Sequence, residues 1–282
     1  MLAFDFHMHT GASPDSRTSP EELANAALAA GLTHIAITDH YEAPPADPNL
    51  FPDKNPRWLA AAADRYREVE ANSQKNIAAV QALTAGKLSV AMGMELGNPL
   101  EDLPRTEELI AAHDFDFLLA SQHTNPGGPD FYFLQRFPEL DLMAEMDIYF
   151  GELLKIVEWG NFSSLAHLTY PFRYFPADKR PTDTRRWDEI INRIFRLLAE
   201  KGLALEINTS GLRKEIGEVS PALPLIRRFR ELGGELITVG SDAHTPADVG
   251  AGIATAVELA EAAGFRYITR YEKRKPIPEK IK

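Results

Sequence analysis

The chain has 282 residues, and its 44% hydrophobic content can fill the core of one large domain or two small ones. Its 41 acidic and 30 basic residues give a net charge of −11, which is unfavourable for non-specific binding to nucleic acid. The absence of cysteine excludes disulfides, thiolate nucleophiles and cysteine-bound zinc, so any metal site must use His, Asp and Glu.

The first predicted strand lies within "FDFHMHT" at residues 4–10 and ends in two histidines. Side chains alternate along a strand, so His7 and His9 point to the same side. A helix is predicted next, because Ser19 is suited to the N-cap, Pro20 to the first position and Glu22 to the capping box. A glycine at position 31 ends this helix, and a second strand follows.

The same alternation of a short apolar run and an amphipathic helix continues along the chain. Continuous apolar runs of this length are typical of parallel strands covered by helices. They occupy residues 34–38, 88–96, 116–123, 163–168, 203–208 and 235–244. With the first strand they make seven, and residues 266–270 are a candidate eighth strand.

This pattern predicts an α/β fold, a distorted (βα)7 TIM-like barrel that forms a single domain over residues 1–282. A doubly wound open sheet is the alternative, but no GxGxxG turn follows the first strand. The N-terminus does not resemble a signal peptide, and no window approaches the roughly 18 apolar residues that span a bilayer. We therefore expect a cytoplasmic protein without a membrane partner.

Two long excursions interrupt the alternation. Residues 125–150 are rich in aromatic side chains and form either a loop over a bound substrate or, as we favour, a segment whose aromatic rings pack in the core. Residues 42–86 predict a proline-rich loop and then a long helix that packs outside the barrel or borders its mouth.

Histidines and carboxylates accumulate directly after the predicted strands. In a parallel barrel these strand ends meet at one face, where barrel enzymes carry their catalytic residues. His34 and His113 precede strands, and we interpret them as structural or surface residues. The side chains that follow strands are His7, His9, His40, His123, His167, His244, Glu95, Asp242 and, a few residues after the first strand, Asp15.

Nine such groups at one place would be costly to bury without cations. A single zinc ion takes about four ligands, so the number of groups predicts two or three metals. Imidazoles combined with carboxylates suit Zn²⁺, Mn²⁺ and Fe²⁺, of which we rank zinc and manganese first.

In their order along the chain, "FHMHT", "ITDH", "GMEL", "SQH", "AHL" and "GSDAH" resemble the motifs of the polymerase and histidinol phosphatase (PHP) superfamily. The resemblance spans residues 5–244 and implies a distorted barrel with three divalent metal ions. It implies that one metal is held by His7, His9, Glu95 and Asp242. By the same resemblance Glu95 bridges to a second metal, held also by His123 and His167, and the third metal is held by Asp15, His40 and His244.

Within this superfamily, "LEINTSGLRK" and "ITVGSDAHTPADVG" are similar to segments of the histidinol-phosphate phosphatases. Asp15 also resembles that branch, because other members have His there. One departure is Thr169, where the family often has Asp. The resemblance implies a metal-dependent phosphomonoesterase that converts L-histidinol phosphate and water to L-histidinol and phosphate. The alternatives are a phosphoesterase for a nucleotide or other small ester, and a non-catalytic metal-binding regulatory barrel.

A phosphate monoester dianion repels an anionic nucleophile, so the site must neutralise the phosphoryl oxygens and produce hydroxide near neutral pH. Clustered divalent metals do both, and we expect attack by a hydroxide that bridges the first two metals. Arg173 and Arg213 each follow a strand, and their planar guanidinium groups are suited to bind the phosphate. Arg17 is a weaker candidate.

The leaving group and the cationic end of the substrate need residues of their own. Asp242 or a metal-bound water could protonate the leaving oxygen. Glu206 and Glu42 are candidates for binding the amine or imidazole of histidinol phosphate. Glu206 could equally orient a metal-bound histidine. We expect a small phosphorylated substrate and no long nucleic acid as partner, and the sequence does not determine the oligomeric state.

Overall fold

A computed structural model describes residues 3–42 and 56–281, with side chains excluded for residues 56–67. Part of the second excursion, residues 43–55, therefore lies outside the described residues. The strands are Phe4–Asp5 (β1), His34–Ile37 (β2), His40–Glu42 (β3), Ser89–Gly97 (β4), Phe117–Ser121 (β5), Ser164–Leu165 (β6), Ala204–Asn208 (β7), Ile237–Gly240 (β8), Tyr267–Glu272 (β9) and Lys275–Lys280 (β10).

Seven parallel strands form the barrel in the order β1, β2, β4, β5, β6, β7, β8, and β3 pairs with the last part of β4. The chain just beyond β1 lies against β8. There the amide of Phe6 donates to the carbonyl of Val239 at 2.9 Å, and the amide of Asp242 donates to the carbonyl of His7 at 2.8 Å. The sheet is therefore a nearly closed barrel, which confirms the predicted fold and excludes the open doubly wound sheet.

Helices cover the outside of the barrel. They are Pro20–Ala29 (α1), Pro56–Leu83 (α2), Leu103–Ala112 (α3), Leu142–Trp159 (α4), Asp188–Lys201 (α5), Leu223–Glu231 (α6) and Ile253–Ala262 (α7). The predicted capping box of α1 is present, because Ser19 and Glu22 each accept a hydrogen bond from the other's backbone amide. Among the described helices, none has the length and apolar character needed to cross a membrane.

The two excursions contain helices. In the first, Phe131, Tyr149 and Phe150 are fully or almost fully buried, so these rings pack in the core as the favoured interpretation predicts. In the second, α2 buries Val69, Ile77 and Val80.

The candidate eighth strand at residues 266–270 does not join the barrel. The corresponding strand, β9, pairs in antiparallel fashion with β10 in a separate two-stranded sheet. This hairpin covers the N-terminal end of the barrel, where the Tyr271 hydroxyl donates to the carbonyl of Ser163 at 3.1 Å and the amide of Lys273 donates to Asp116 at 2.9 Å. Residues 267–270 do form part of a strand, but the adjacent segment 275–280 supplies its pairing partner.

Tyr271 connects the hairpin to the barrel, since it is 3% exposed and its ring centroid lies 5.2 Å from that of Phe117. We expect Tyr271→Ala to lower the free energy of unfolding by about 3 kcal/mol or more, because it leaves a cavity under the barrel. Tyr271→Phe removes only the hydrogen bond and should cost about 1 kcal/mol. The matched control is Tyr267→Ala, because Tyr267 is 45% exposed on the same strand. Equal losses for the two alanine variants in urea unfolding would contradict this role.

Candidate metal centre

All nine predicted ligands lie together at the C-terminal end of the barrel. Strand pairing produces this arrangement, because His40 on β3 is the partner of Glu95 on β4. His7 and His9 follow β1, and the amide of His9 donates to the carbonyl of Ala243 at 2.9 Å, next to His244. His123 and His167 follow the neighbouring strands β5 and β6. The centre therefore combines residues from distant parts of the chain.

Glu95 lies in the middle of this group and is fully buried. Its Oε2 is 3.1 Å from His7 Nε2, 3.6 Å from His9 Nε2 and 2.9 Å from His40 Nδ1. Its Oε1 is 3.0 Å from His167 Nε2 and 3.3 Å from His123 Nε2. Each oxygen therefore faces a different set of imidazoles, which is the arrangement that a bridging carboxylate requires.

Asp242 lies beside the first of these sets. Its Oδ1 is 3.7 Å from His7 Nε2 and 3.5 Å from His9 Nε2. Its backbone is in the left-handed region, with φ 56°, a conformation that Asp adopts more readily than most residues. Burial would raise the pKa of Asp242, but His7 and neighbouring positive groups hold that pKa well below its usual value in the metal-free protein.

A third set lies at the more open side of the centre. Asp15 Oδ2 is 3.0 Å from His244 Nε2 and 3.5 Å from His40 Nε2, and the Nε2 atoms of these two histidines are 3.4 Å apart. The side chain of Asp15 is 56% exposed. This set is therefore the one that solvent reaches most easily.

The Nδ1 atoms of several histidines contact oxygens behind the centre. Glu206 Oε1 is 2.7 Å from His7 Nδ1, Ser13 Oγ is 3.1 Å from His9 Nδ1, and Glu42 contacts His123 Nδ1. A carboxylate at Nδ1 places the hydrogen there and leaves the Nε2 lone pair directed at the centre. Glu206 and Glu42, two predicted substrate-binding residues, thus contact the histidines, and the contact of Glu206 with His7 is compatible with the alternative role predicted for it.

A glycine makes this close packing possible. A side chain at Gly240 would collide with the Cβ atom of His7 and the carboxylate of Glu206. The other oxygen of Glu206 accepts from the amide of His167 at 2.8 Å. Glu206 therefore fixes two of the histidines at once.

Asp39 supports the centre and was missed in the sequence. It is fully buried and accepts hydrogen bonds from the Thr10 amide at 2.7 Å, the Ser13 hydroxyl at 2.8 Å and the Ser73 hydroxyl at 2.7 Å. Through Ser13 it acts on His9, and through Ser73 it connects the loop after β1 to α2. The available signal was its place directly before His40 in "ITDH".

The three arginines considered in the sequence have different surroundings. Arg173 is 8% exposed, its Nη1 lies 3.0 Å from Asp242 Oδ2 and contacts Ser210, and its Nη2 is buried without a hydrogen-bond partner among the described residues. Arg213 donates to the Ser241 carbonyl at 2.7 Å and lies 3.1 Å from Asp248. Arg17 is exposed. Of these three arginines, Arg173 is the one that contacts a predicted ligand within the described part of the chain.

The donor set fits divalent metal ions. Of the described residues, the buried carboxylates are Asp5, Asp39, Glu95, Glu206 and Asp242, and the buried cationic residue apart from histidine is Arg173. The Nε2 of His9 is buried and has no hydrogen-bond partner in the described chain. Such an excess of negative charge beside uncommitted imidazole nitrogens is expensive unless cations bind.

The pKa shifts in the metal-free protein have the same origin. Burial lowers the pKa of His123, but Glu42 and Glu95 outweigh it and raise that pKa to about 10. Burial likewise opposes the charge on His7, and Glu206, Glu95 and Asp242 raise its pKa well above the usual value. The carboxylates around His7 and His123 therefore favour positive charge at these two imidazoles, and metal ions are suited to supply positive charge there.

The remaining polar residues of interest lie outside the ligand set. The hydroxyl of Thr169 lies 2.9 Å from that of Ser220. Thr169 is not one of the nine predicted ligands, so the departure from the family pattern at this position leaves that set complete. His34 begins β2, and His113 lies 2.5 Å from Glu70 and 3.0 Å from Gln74 of α2. Both histidines lie on the strand-entry side of the barrel, as the sequence predicts.

Comparison with known proteins gives a consistent result. The family model of the PHP domain matches residues 5–210. A Deinococcus radiodurans protein named "Probable histidinol-phosphatase" is 30% identical over 280 residues, which cover 96% of this chain and 98% of that protein. A Lactococcus lactis protein named "Histidinol-phosphatase" is 28% identical over 276 residues, covering 96% and 95% of the two chains.

A solved structure is similar over the whole chain. It is the crystal structure of histidinol phosphate phosphatase from Lactococcus lactis complexed with Zn, L-histidinol and phosphate. The TM-score is 0.78 at 27% identity, and the match covers 98% of this chain and 100% of that one.

Glu206 allows a test of the histidine orientation. We expect Glu206→Gln to weaken zinc binding roughly 10- to 100-fold in competition with a chelator. Glu206 accepts from both His7 Nδ1 and the backbone amide of His167, and the NH2 group of glutamine would face one of these two donors. Glu107→Gln is the matched control, since Glu107 accepts from Trp159 at 2.6 Å and Asn161 at 2.8 Å away from the centre. Unchanged zinc affinity in Glu206→Gln would show that Glu206 does not orient the ligands.

Proposed function

The chain belongs to the PHP domain family, and we propose that it is a phosphoric monoester hydrolase that converts L-histidinol phosphate and water to L-histidinol and phosphate. The observation that carries this proposal is the group of nine ligand side chains with a buried, partly unpaired Arg173 beside it. The named relatives and the neighbour with bound Zn, L-histidinol and phosphate support the same substrate.

We assign the ligands to three divalent ions. The first would be held by His7, His9, Glu95 and Asp242, the second by Glu95, His123 and His167, and the third by Asp15, His40 and His244. The two sets of imidazoles on either side of Glu95 support its bridging role. Zinc is favoured because the similar structure contains it, and Mn²⁺ or Fe²⁺ would suit the same ligands.

The charge of the centre supports more than one ion. Seven carboxylates contact the ligand residues or the groups that hold them, namely Asp5, Asp15, Asp39, Glu42, Glu95, Glu206 and Asp242. Arg173 offsets one of these negative charges, which leaves six. Two divalent ions would supply a charge of +4 and three would supply +6, so three ions would balance the charge of the centre.

When bound, the ions would neutralise phosphoryl oxygens and lower the pKa of a water molecule so that hydroxide forms near neutral pH. Arg173 binds a non-bridging phosphoryl oxygen through Nη2, while Asp242 and Ser210 hold Nη1. The ring of Tyr170 lies 4.8 Å from the guanidinium carbon and limits its movement. The phosphate is thereby positioned without a covalent phospho-enzyme.

Asp242 also moves a proton in this proposal. Its Oδ2 accepts from Arg173, Ser210 and Asn208, so Oδ1 is the oxygen that faces the reacting groups. Oδ1 accepts the proton released by the attacking water and returns it to the leaving oxygen of the alcohol. The products are then L-histidinol and phosphate, with no net change in the protein.

The substrate is tested by phosphate release from protein that is stripped with a chelator and reloaded with Zn²⁺ or Mn²⁺. We expect kcat/KM for L-histidinol phosphate to exceed that for a nucleoside 3′-phosphate, a short oligonucleotide and p-nitrophenyl phosphate by about 100-fold or more. A higher kcat/KM for the nucleoside 3′-phosphate would show that the substrate is a nucleotide and not L-histidinol phosphate. No hydrolysis of any ester by metal-loaded protein would indicate a non-catalytic metal-binding barrel.

Mutation can distinguish the roles of the two arginines that are predicted to bind phosphate. We expect Arg173→Ala to lower kcat/KM for L-histidinol phosphate by roughly 100- to 1,000-fold, and Arg173→Lys to recover only part of it, because a lysine lacks the planar fork. Arg213 already binds Ser241 and Asp248, so Arg213→Ala should cost only several-fold. Thermal unfolding controls for stability, and an equal or larger effect at Arg213 would reverse the assignment.

A further inference from the structure

Tyr170 connects the metal centre to a carboxylate that has no role so far. Its ring centroid lies 4.8 Å from those of His123 and His167, so the ring forms a wall of the centre. Its hydroxyl lies 3.4 Å from Oδ1 of Asp130. Tyr170 therefore contacts a positive group, Arg173, with its ring and a negative group, Asp130, with its hydroxyl.

The backbone holds Asp130 close to the ligands. Asp130 pairs with Thr124, the residue after His123, and the amide of Phe131 donates to the carbonyl of His123 at 3.0 Å. Its Oδ1 accepts from the amide of Tyr132 at 2.8 Å and so caps the short helix Phe131–Arg136. The position of the carboxylate is thus coupled to that of a ligand histidine.

Asp130 is also a carboxylate without a cation of its own. In the described part of the chain it forms no ion pair, and its Oδ2 accepts no hydrogen bond. It is half-buried. Burial raises the pKa of Asp130 to about 6, against the attraction of His123. When burial has raised the pKa of a carboxylate beside a reaction centre, a cationic ligand can stabilise its ionised form.

The substrate in the proposed function carries such a cation. In L-histidinol phosphate an ammonium group is attached to the carbon next to the one that bears the phosphate ester. Glu42 and Glu206, the two acidic residues considered for this group in the sequence, both contact histidines of the centre. Asp130 has an oxygen available for it.

We infer that Asp130 binds the ammonium group of the substrate and selects esters of amino alcohols over esters without an amine. This inference rests on the proposed function and adds a specificity-determining residue to it. The phosphate group would bind at Arg173 and the proposed metal centre, on the ring side of Tyr170, and the ammonium group would bind at Asp130, beside the hydroxyl of the same tyrosine.

The test compares two substrates, L-histidinol phosphate and 3-(imidazol-4-yl)propyl phosphate, which lacks only the amine. The measured quantity is the ratio of their kcat/KM values. Asp130→Asn removes the charge and keeps the helix cap, because Asn and Asp are equally good N-cap residues. We expect the ratio to fall roughly 10- to 100-fold, mainly through KM for the amine substrate.

Asp141→Asn is the matched control, since Asp141 caps α4 through the amides of Met143 and Ala144 at 3.0 Å and 3.1 Å. Its ratio should equal that of the wild type. An unchanged ratio in Asp130→Asn, or a wild-type ratio near one, overturns the role of Asp130 while the phosphatase activity stands. Failure of the wild type to hydrolyse L-histidinol phosphate in the broader substrate panel overturns the proposed function instead.

Discussion

Glu95 is a fully buried carboxylate that faces five imidazoles, and the rest of the centre depends on this contact. Burial of an ionised carboxylate is costly unless positive charge compensates it. The imidazoles lie on β3 or shortly after β1, β5 and β6, so each of these strands must keep its register. A slip of one residue would turn a ligand away from the centre. The geometry of the centre therefore constrains the pairing of the barrel strands, in addition to the constraint from the apolar core.

A second layer of oxygens converts clustered histidines into oriented ligands. Glu206, Ser13 and Glu42 each contact the Nδ1 atom of a different histidine, and Asp39 holds Ser13 in turn. These contacts direct Nε2 atoms toward the centre before any metal arrives. The polar network also continues into α2 through Ser73, so an outer helix shares in fixing the site.

Local signals were sufficient for much of the fold. The seven apolar runs became the seven barrel strands, and the capping box at Ser19 formed as expected. Residues 266–270 were a candidate for the barrel but lie outside it, because a strand-forming run does not reveal its pairing partner. That partner was the adjacent segment 275–280, which formed a hairpin instead. The candidate metal-ligand residues were recognisable because His, Asp and Glu repeatedly followed apolar runs, and parallel strands bring such positions to one end.

The sequence by itself determined the α/β barrel, the family, and the group of side chains that meet at the strand ends. Tertiary structure alone decided how similar side chains divide their roles. Glu95 and Glu206 both lie within predicted strands, yet one faces the centre and the other contacts the far nitrogen of His7, 199 positions away in the chain. Asp130 likewise lies beside the centre through pairing with Thr124 and contact with Tyr170. The physical reason is that strand periodicity fixes the side of a sheet, whereas the partner of a carboxylate depends on neighbours that are distant in sequence.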